Sequence, residues 1–298
     1  MTDSVASTSG LRAACDAARA RGAEVGLVPT MGYLHEGHRS LMRAARAETG
    51  FVVVTIFVNP LQFGPGEDLD RYPRDLAGDE RACREEGVDL VFAPSVDDMF
   101  PSAPVTTVHV GGLTDALCGV SRPGHFDGVT TIVTKLLSLA GPCRAYFGRK
   151  DAQQLAVVTR LARDLSLPVE VVACPLVREP DGLALSSRNA YLRGDERRAA
   201  TVLFRALRRG ADAVVAGERD PERVRATVGE TIGEEPLVAA EYVELRDAVE
   251  ISLVDRVDGE VVLAVAARVG STRLIDNIRL SVRGHHVDVD AGVVAATS

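Results

Sequence analysis

Tryptophan is absent from these 298 residues, and aromatic residues of all kinds make up only 4% of them. Single-stranded nucleic acids are usually held on aromatic stacking platforms, so that class of partner is disfavoured. The net charge of −8 and the pI near 5.4 point the same way, because a surface that tracks a phosphate backbone is basic. Long apolar runs are missing too, since none approaches the roughly 20 residues that cross a bilayer. Met1-Thr2-Asp3-Ser4 opens without the basic and apolar regions of a secretory signal. Neither nucleic acid nor a membrane is expected as a partner, and the cytoplasm is the expected compartment. The cysteines at 15, 83, 118, 143 and 174 have no paired ligand spacing and fit a reducing environment. Lysine occurs twice among 34 basic residues, at Lys135 and Lys150. A chain that otherwise uses arginine retains lysine where a compact ammonium suits better than a planar fork.

What is present is concentrated in Pro29-Thr30-Met31-Gly32-Tyr33-Leu34-His35-Glu36-Gly37-His38. The apolar run Val25-Gly26-Leu27-Val28 precedes it as a buried strand would, and Leu41, Ala44 and Ala45 follow at helical spacing. The histidines therefore fall where a strand end passes into a helix N-terminus, where free amides and the helix dipole favour an anion. His35 and His38 are three residues apart and reach the same side of the turn, and Gly37 between them permits close approach of a ligand. The arrangement suits a phosphate whose charge grows during reaction. A metal site is the weaker rival, because Asp and Cys partners are missing nearby. A dinucleotide site is disfavoured, because no Gly-x-Gly-x-x-Gly follows the first strand.

The length suits about two domains, and 46% apolar with 26% charged residues is ordinary for a globular protein. Strand candidates fall at 24–28, 51–58, 89–93, 105–110, 144–148 and 169–173, with helical patterns at 38–48, 75–87, 128–140 and 151–165. This alternation predicts an α/β fold with a doubly wound, Rossmann-like parallel sheet over residues 1–176. Pro175, Pro180 and the Asp181-Gly182 turn mark a boundary. Helical stretches near 195–217 and 221–233 and strands near 241–246, 261–267 and 273–281 predict a smaller C-terminal α+β domain over 177–283, with 284–298 as a flexible tail.

Three further constellations follow strands or the boundary. Phe57-Val58-Asn59-Pro60-Leu61-Gln62-Phe63-Gly64 sets two amides on a stiffened turn, able to donate to hydroxyl or carboxylate oxygens without neutralising a nucleophile. Tyr146-Phe147-Gly148-Arg149-Lys150-Asp151-Ala152-Gln153-Gln154 ends a strand and starts a helix. There Lys150 could hold a phosphate, Asp151 could accept from ribose hydroxyls, and Gln154 could face the same site for a second substrate. Leu185-Ser186-Ser187-Arg188-Asn189 offers two hydroxyls and a guanidinium, in a flexible segment, for triphosphate oxygens.

In this order, Pro-Thr-Met-Gly-x-Leu-His-x-Gly-His, Phe-Val-Asn-Pro-x-Gln-Phe and Ser-Ser-Arg-Asn resemble the pantothenate synthetases (pantoate–β-alanine ligases), nucleotidyltransferases with a His-x-Gly-His motif. The resemblance spans residues 24–280 and implies ATP-dependent ligation of pantoate and β-alanine to pantothenate, a coenzyme A precursor. It implies a pantoyl-adenylate intermediate, release of pyrophosphate and AMP, magnesium with the ATP, and a homodimer. Carried over by resemblance, His35, His38, Lys150, Ser186, Ser187 and Arg188 hold phosphates, with Gly37 beside them. Met31, Gly148, Asp151 and Val177 line the nucleoside, and Gln62 and Gln154 hold pantoate. The chain departs from the family pattern at Arg149, commonly Glu, at Ala152, commonly aromatic, and at Leu185, often Met. After Tyr72-Pro73-Arg74, where some members place magnesium ligands, it offers Asp79, so no protein ligand to the metal is assigned. The alternative is an adenylyl- or cytidylyltransferase of the same superfamily, which gives no reason for the paired Gln62 and Gln154.

Overall fold

Valine-rich runs build the first sheet of the protein, seen in a computed structural model that describes residues 2–295. Its strands are β1 (Asp3–Val5), β2 (Val25–Thr30), β3 (Phe51–Ile56), β4 (Leu90–Phe92), β5 (Cys143–Gly148) and β6 (Val169–Cys174). All pair in parallel, in the order β1-β4-β3-β2-β5-β6. A parallel sheet is covered on both faces, so β2 and β3 read as near-continuous apolar segments with Val25, Leu27, Val28, Val52, Val53 and Val54 wholly buried. The helices of this part are α1 (Thr8–Ala20), α2 (Glu36–Glu48), α3 (Leu76–Glu85) and the single turn α4 (Val96–Met99), then, beyond α5 (Cys118–Ser121), α6 (His125–Ala140) and α7 (Ala152–Asp164).

From β2 the chain winds outward through β3 to β4, then returns to place β5 and β6 on the other side of β2. The topological switch point lies between β2 and β5, and ligands of open α/β sheets bind outside the carboxyl ends at such a point. The segments leaving those two strand ends begin at Met31 and Arg149.

Contacts divide the chain into two units. The first holds the chain up to Thr114, Arg122–Gly148 and Val157–Cys174. The second holds Asp115–Ser121, Arg149–Ala156 and the chain from Pro175. Two short internal segments thus count with the second unit, besides the stretch after the expected boundary.

The second unit contains β7 (Val177–Arg178), α8 (Gly194–Ala199), α9 (Val202–Val215), α10 (Pro221–Gly233), β8 (Val238–Asp247), β9 (Gly259–Val269), β10 (Thr272–Arg283), β11 (His286–Asp290) and β12 (Val293–Val294). Strands β11-β10-β9-β8 form an antiparallel sheet, and β12 pairs in parallel with β7. Leu203, Leu207, Val228 and Ile232 of α9 and α10 share one apolar cluster with Leu263, Val265 and Leu280 of the sheet. At Gly210 a Cβ would lie 2.6 Å from Val228 and 2.8 Å from Leu263, so only glycine permits this closeness.

At the centre of this unit is a buried ion pair. Arg178 meets Asp276 with both prongs of its guanidinium, at 2.7 and 3.0 Å. Its remaining N–H groups donate to the carbonyls of Gly182, Asn277 and Ala291, so all five are used. The guanidinium also lies over the Phe204 ring, 4.0 Å from its centroid.

Several sequence expectations are corrected. Residues 105–110 form no strand, and Val105 is 97% exposed. The Val108 amide donates to the Thr131 hydroxyl and its carbonyl accepts from Thr130, so side chains of α6 replace a ladder there. The tail expected from 284 is instead β11 and β12 as far as Val294, because Val287 and Val289 alternate toward the α9–α10 cluster; residues 296–298 lie outside the described part. The helix expected over 195–217 breaks at Ala200-Thr201 into α8 and α9, and α1 and β1 add elements that the sequence reading lacks.

Candidate active site

In the first unit, the segment after β2 is fixed before the histidines are reached. Gly32 and Tyr33 both adopt left-handed backbone, φ +83° and +51°. A Cβ on Gly32 would also lie 2.8 Å from the Asp79 carboxylate, so glycine is required there. Asp79, on α3, accepts from the amides of Tyr33 (2.9 Å) and Leu34 (2.7 Å). It is buried, and burial pushes its carboxyl above the usual range against the pull of those two amides. Asp79 is therefore a clamp on the His35 loop, with each oxygen already accepting an amide.

The two histidines close onto each other. His35 is the N-cap of α2, and its Nδ1 accepts from the Gly37 amide at 3.2 Å. His38 reciprocates, with Nδ1 accepting from the His35 amide at 3.2 Å, and the ring centroids lie 4.0 Å apart. This is a capping box made of imidazoles rather than of Ser and Glu. A ring nitrogen that accepts from an amide carries no proton, so in both neutral rings the proton sits on Nε2. The expectation of free amides at this helix start is thereby corrected. The Gly37 amide is taken by His35 and the His38 amide by the His35 carbonyl.

Gln62 ends a 3-10 turn, Pro60–Gln62, capped by Asn59. Asn59 is 1% exposed, and its Nδ2 donates to Gln62 Oε1 (3.1 Å) and to the Gly128 carbonyl (3.0 Å). Its Oδ1 accepts from the Leu61 amide, so Asn59 aims Gln62. Gln62 Nε2 in turn reaches the Met31 sulfur at 3.1 Å, which brings together two residues assigned separately from sequence. Behind the turn, His125 Nδ1 (2.8 Å) and Arg122 (3.2 Å) both donate to the Gln62 carbonyl. Arg122 only donates, so His125 Nε2, 3.0 Å from it, is an acceptor and His125 is neutral with its proton on Nδ1. Burial raises the Glu67 carboxyl, but the Arg122 guanidinium against it more than offsets this and holds it below the usual range. Gly128 of α6 lies so close to this turn that a Cβ would be 2.2 Å from the Leu61 carbonyl oxygen.

In the second unit, Arg149–Asp151 is a 3-10 turn, and the α-helix starts only at Ala152. The expected i, i+4 phase from Lys150 to Gln154 is broken by this change of helix type. Lys150 Nζ lies 3.7 Å from the Asp151 carboxylate, and the Arg149 and Lys150 carbonyls both accept from Asn277 of β10. Arg149, a departure from the family pattern, pairs with Asp290 at 2.5 Å. The neighbouring glutamines differ in kind. Gln153 is buried, bonded to the Ala116 carbonyl and the Cys118 amide, whereas Gln154 is only half-buried.

Gly148, at the end of β5, has ordinary strand backbone rather than a turn, with open space where a Cβ would be. Val177 is buried in β7, its carbonyl accepting from Leu185. Ser186, Ser187 and Arg188 are not in a loose loop. Ser186 caps a 3-10 turn, Ser187–Tyr191, its hydroxyl accepting from the Arg188 amide, and Ser187 is buried. Asn189 ties the turn to Glu179 and the Ala184 carbonyl. Sequence reasoning missed the roles of Asp79, Asn59 and Asn277.

A family model described as pantoate-beta-alanine ligase matches residues 3–279. Pantothenate synthetase from Carboxydothermus hydrogenoformans is 54% identical over 259 residues, covering 87% of this chain and 92% of the relative. The corresponding protein of Heliobacterium modesticaldum is 56% identical over 261 residues, covering 88% and 93%. Among solved structures, pantothenate synthetase from Thermus thermophilus superposes with a TM-score of 0.88 at 46% identity, covering 93% of this chain and 98% of that one. Pantoate-beta-alanine ligase from Francisella tularensis, solved in complex with beta-gamma ATP and beta-alanine, gives a TM-score of 0.78 at 30% identity, covering 93% and 97%.

Proposed function

The chain belongs to the pantoate–β-alanine ligase family, and on that premise we propose how its residues divide the work. It is a ligase that joins pantoate and β-alanine with ATP to form pantothenate. In the proposed course, a pantoate carboxylate oxygen bonds to the α-phosphorus of ATP and pyrophosphate leaves. The amine of β-alanine then attacks the acyl carbon of the pantoyl adenylate, AMP leaves, and the nitrogen gives up its proton as the amide forms. Neither step needs a nucleophile from the protein, so catalysis rests on positioning and on stabilising charge.

The observation that carries this reading is the reciprocal imidazole cap. It presents two Nε2–H donors of fixed tautomer at the carboxyl end of β2, suited to the negative charge that builds on the α-phosphate. In this reading Lys150, Ser186, Ser187 and Arg188 take the other phosphate oxygens, with Gly37 beside the histidines. Met31, Gly148, Asp151 and Val177 line the nucleoside, while Gln62 and Gln154 read pantoate. The neutral amide of Gln62 can hold a carboxylate without competing as a second anion.

Magnesium fits poorly as a resident ion. The described residues hold no group of three or more His, Cys, Asp or Glu able to bind one, and the Asp79 oxygens accept amides. The reading therefore takes magnesium as arriving on the ATP phosphates. A homodimer and a cytoplasmic location are proposed from family membership, the first to be read by sedimentation; no helix among the described residues is long and apolar enough to cross a membrane.

The test is AMP release measured with ATP, pantoate and β-alanine, alongside pantoate-dependent ATP–pyrophosphate exchange. AMP release should require β-alanine, and exchange should not. His38→Ala should slow exchange by about 10²–10³, the loss typical of one oxyanion-type donor. Exchange at the parental rate in that variant would refute the role given to the histidine cap, and AMP release independent of β-alanine would refute the order of steps.

A further inference from the structure

A polar pair interrupts the apolar pattern of β10, where Asp276 and Asn277 are both buried next to Ile278. Asp276 is matched by the fork of Arg178. The Asn277 side chain serves a different purpose. Its Nδ2 donates to the carbonyl of Arg149 at 3.0 Å and to that of Lys150 at 2.8 Å. A carboxamide nitrogen has two hydrogens, so each carbonyl takes one. The main chain of Asn277 is itself fixed by the buried ion pair, its amide donating to Asp276 (2.7 Å) and its carbonyl accepting from Arg178 (3.1 Å).

The two carbonyls belong to the peptide planes on either side of the Lys150 Cα. Holding both planes holds φ and ψ of that residue, and with them the direction in which its side chain leaves the turn. Each plane is trans, so its N–H points opposite to its C=O. The Lys150 amide is thus directed away from Asn277, to the side opposite β10, while the Asp151 amide belongs to the i→i+3 pattern of the turn. We propose that Asn277 is a positioning residue for Lys150, orienting the lysine side chain and its own amide for an anionic oxygen of ATP. The proposal rests on the reading that Lys150 is a phosphate ligand. The chain of fixation runs from Arg178 through Asp276 and Asn277 to the 3-10 turn, all within the second unit.

A double-mutant cycle on the full-length protein tests it, with pantoate-dependent ATP–pyrophosphate exchange as the readout and thermal unfolding as the control for folding. Asn277→Ala should slow exchange by about 10–10², the scale of a misplacement near 1 Å. Asn277→Ser, which keeps one donor, should fall between Ala and the parent, and it supplies the cycle if Asn277→Ala does not fold. In a Lys150→Ala background, removing Asn277 should change exchange by less than about two-fold, because the group being positioned is gone. If both losses multiply in the double variant, Asn277 acts through stability alone and the proposal fails. If Lys150→Ala is impaired while both Asn277 variants exchange at the parental rate, positioning fails but the lysine reading stands. If Lys150→Ala itself exchanges at the parental rate, the lysine reading fails and the proposal with it.

Discussion

Gly128→Ala asks whether the turn bearing Gln62 depends on contact between two backbones. Alanine in a helix interior is ordinarily better than glycine by about 1 kcal/mol, so propensity alone forecasts stabilisation. Here the new Cβ would sit 2.2 Å from the Leu61 oxygen, 2.4 Å from its carbonyl carbon and 2.6 Å from the Gln62 Cα. These are main-chain atoms that cannot rotate away. To regain ordinary contact the turn must retreat by about 1 Å, which stretches the bond from Asn59 to the Gly128 carbonyl and moves Gln62. Overpacking of this kind costs about 1–3 kcal/mol, which exceeds the propensity gain, and, with Gln62 holding pantoate as proposed, a shift near 1 Å costs about 10²-fold in rate. The control is Gly229→Ala in α10, where a Cβ meets nothing within 4 Å and propensity should act unopposed. Urea unfolding of both variants, with exchange measured across a range of pantoate concentrations, provides the assay. The expected result is a Gly128→Ala protein that is less stable and impaired chiefly toward pantoate, beside a Gly229→Ala protein stabilised by about 0.5–1 kcal/mol with parental kinetics. A Gly128→Ala protein as stable as its parent, with unchanged pantoate dependence, would refute the argument.

Two further outcomes are expected. Arg178→Met leaves Asp276 buried and unpaired and should cost about 3–5 kcal/mol in urea unfolding, whereas Arg178→Met with Asp276→Leu should recover much of that loss; equal losses for the two would count against the pair as the cause. Glu67 has its folded pKa depressed beside Arg122, so its stabilising share is complete above the ordinary glutamate value of about 4.3 and is lost as pH falls through the lower folded value. Glu67→Gln should therefore flatten the acid side of the stability–pH curve, and an unaltered curve would remove this pair from the account.

The strand-to-helix junction at His35 is legible because both flanks carry strong signals, a short apolar run before it and helical spacing after it. The same holds for α6 and for the three long strands of the second unit. The run Val105-Thr106-Thr107-Val108-His109-Val110 misleads because β-branched content reports a possible strand and not whether a partner edge exists. In β11 the pattern His-Val-Asp-Val-Asp carries only two apolar residues, too few to separate a strand from a polar tail, and its place follows from pairing with β10. The break between α8 and α9 has no glycine or proline to announce it. The site divides in a similar way. The residues proposed for the site from motifs, His35, His38, Gln62 and Lys150, display their chemistry in the sequence itself. Their supports Asp79, Gly128 and Asn277 do not, because each acts across 45 or more residues of chain on a main-chain group. Backbone partners leave no complementary side chain for a motif to reveal.

The hydrogen bond from Arg178 to the Ala291 carbonyl spans 113 residues, and the pairing of β7 with β12 spans a similar stretch. A chain emerging from the ribosome reaches Arg178 long before it can supply that carbonyl or the strand beside it. Until then the guanidinium lacks one acceptor, β7 has an open edge, and the turn carrying Ser186 and Arg188 stands next to an incomplete core. Synthesis proceeds at roughly 5–20 residues per second, so this interval lasts on the order of ten seconds. The parallel sheet, whose strands are all in place by Cys174, has no such wait. The order of translation is thereby built into maturation, with the first unit free to form while the second remains unfinished until its last strand arrives.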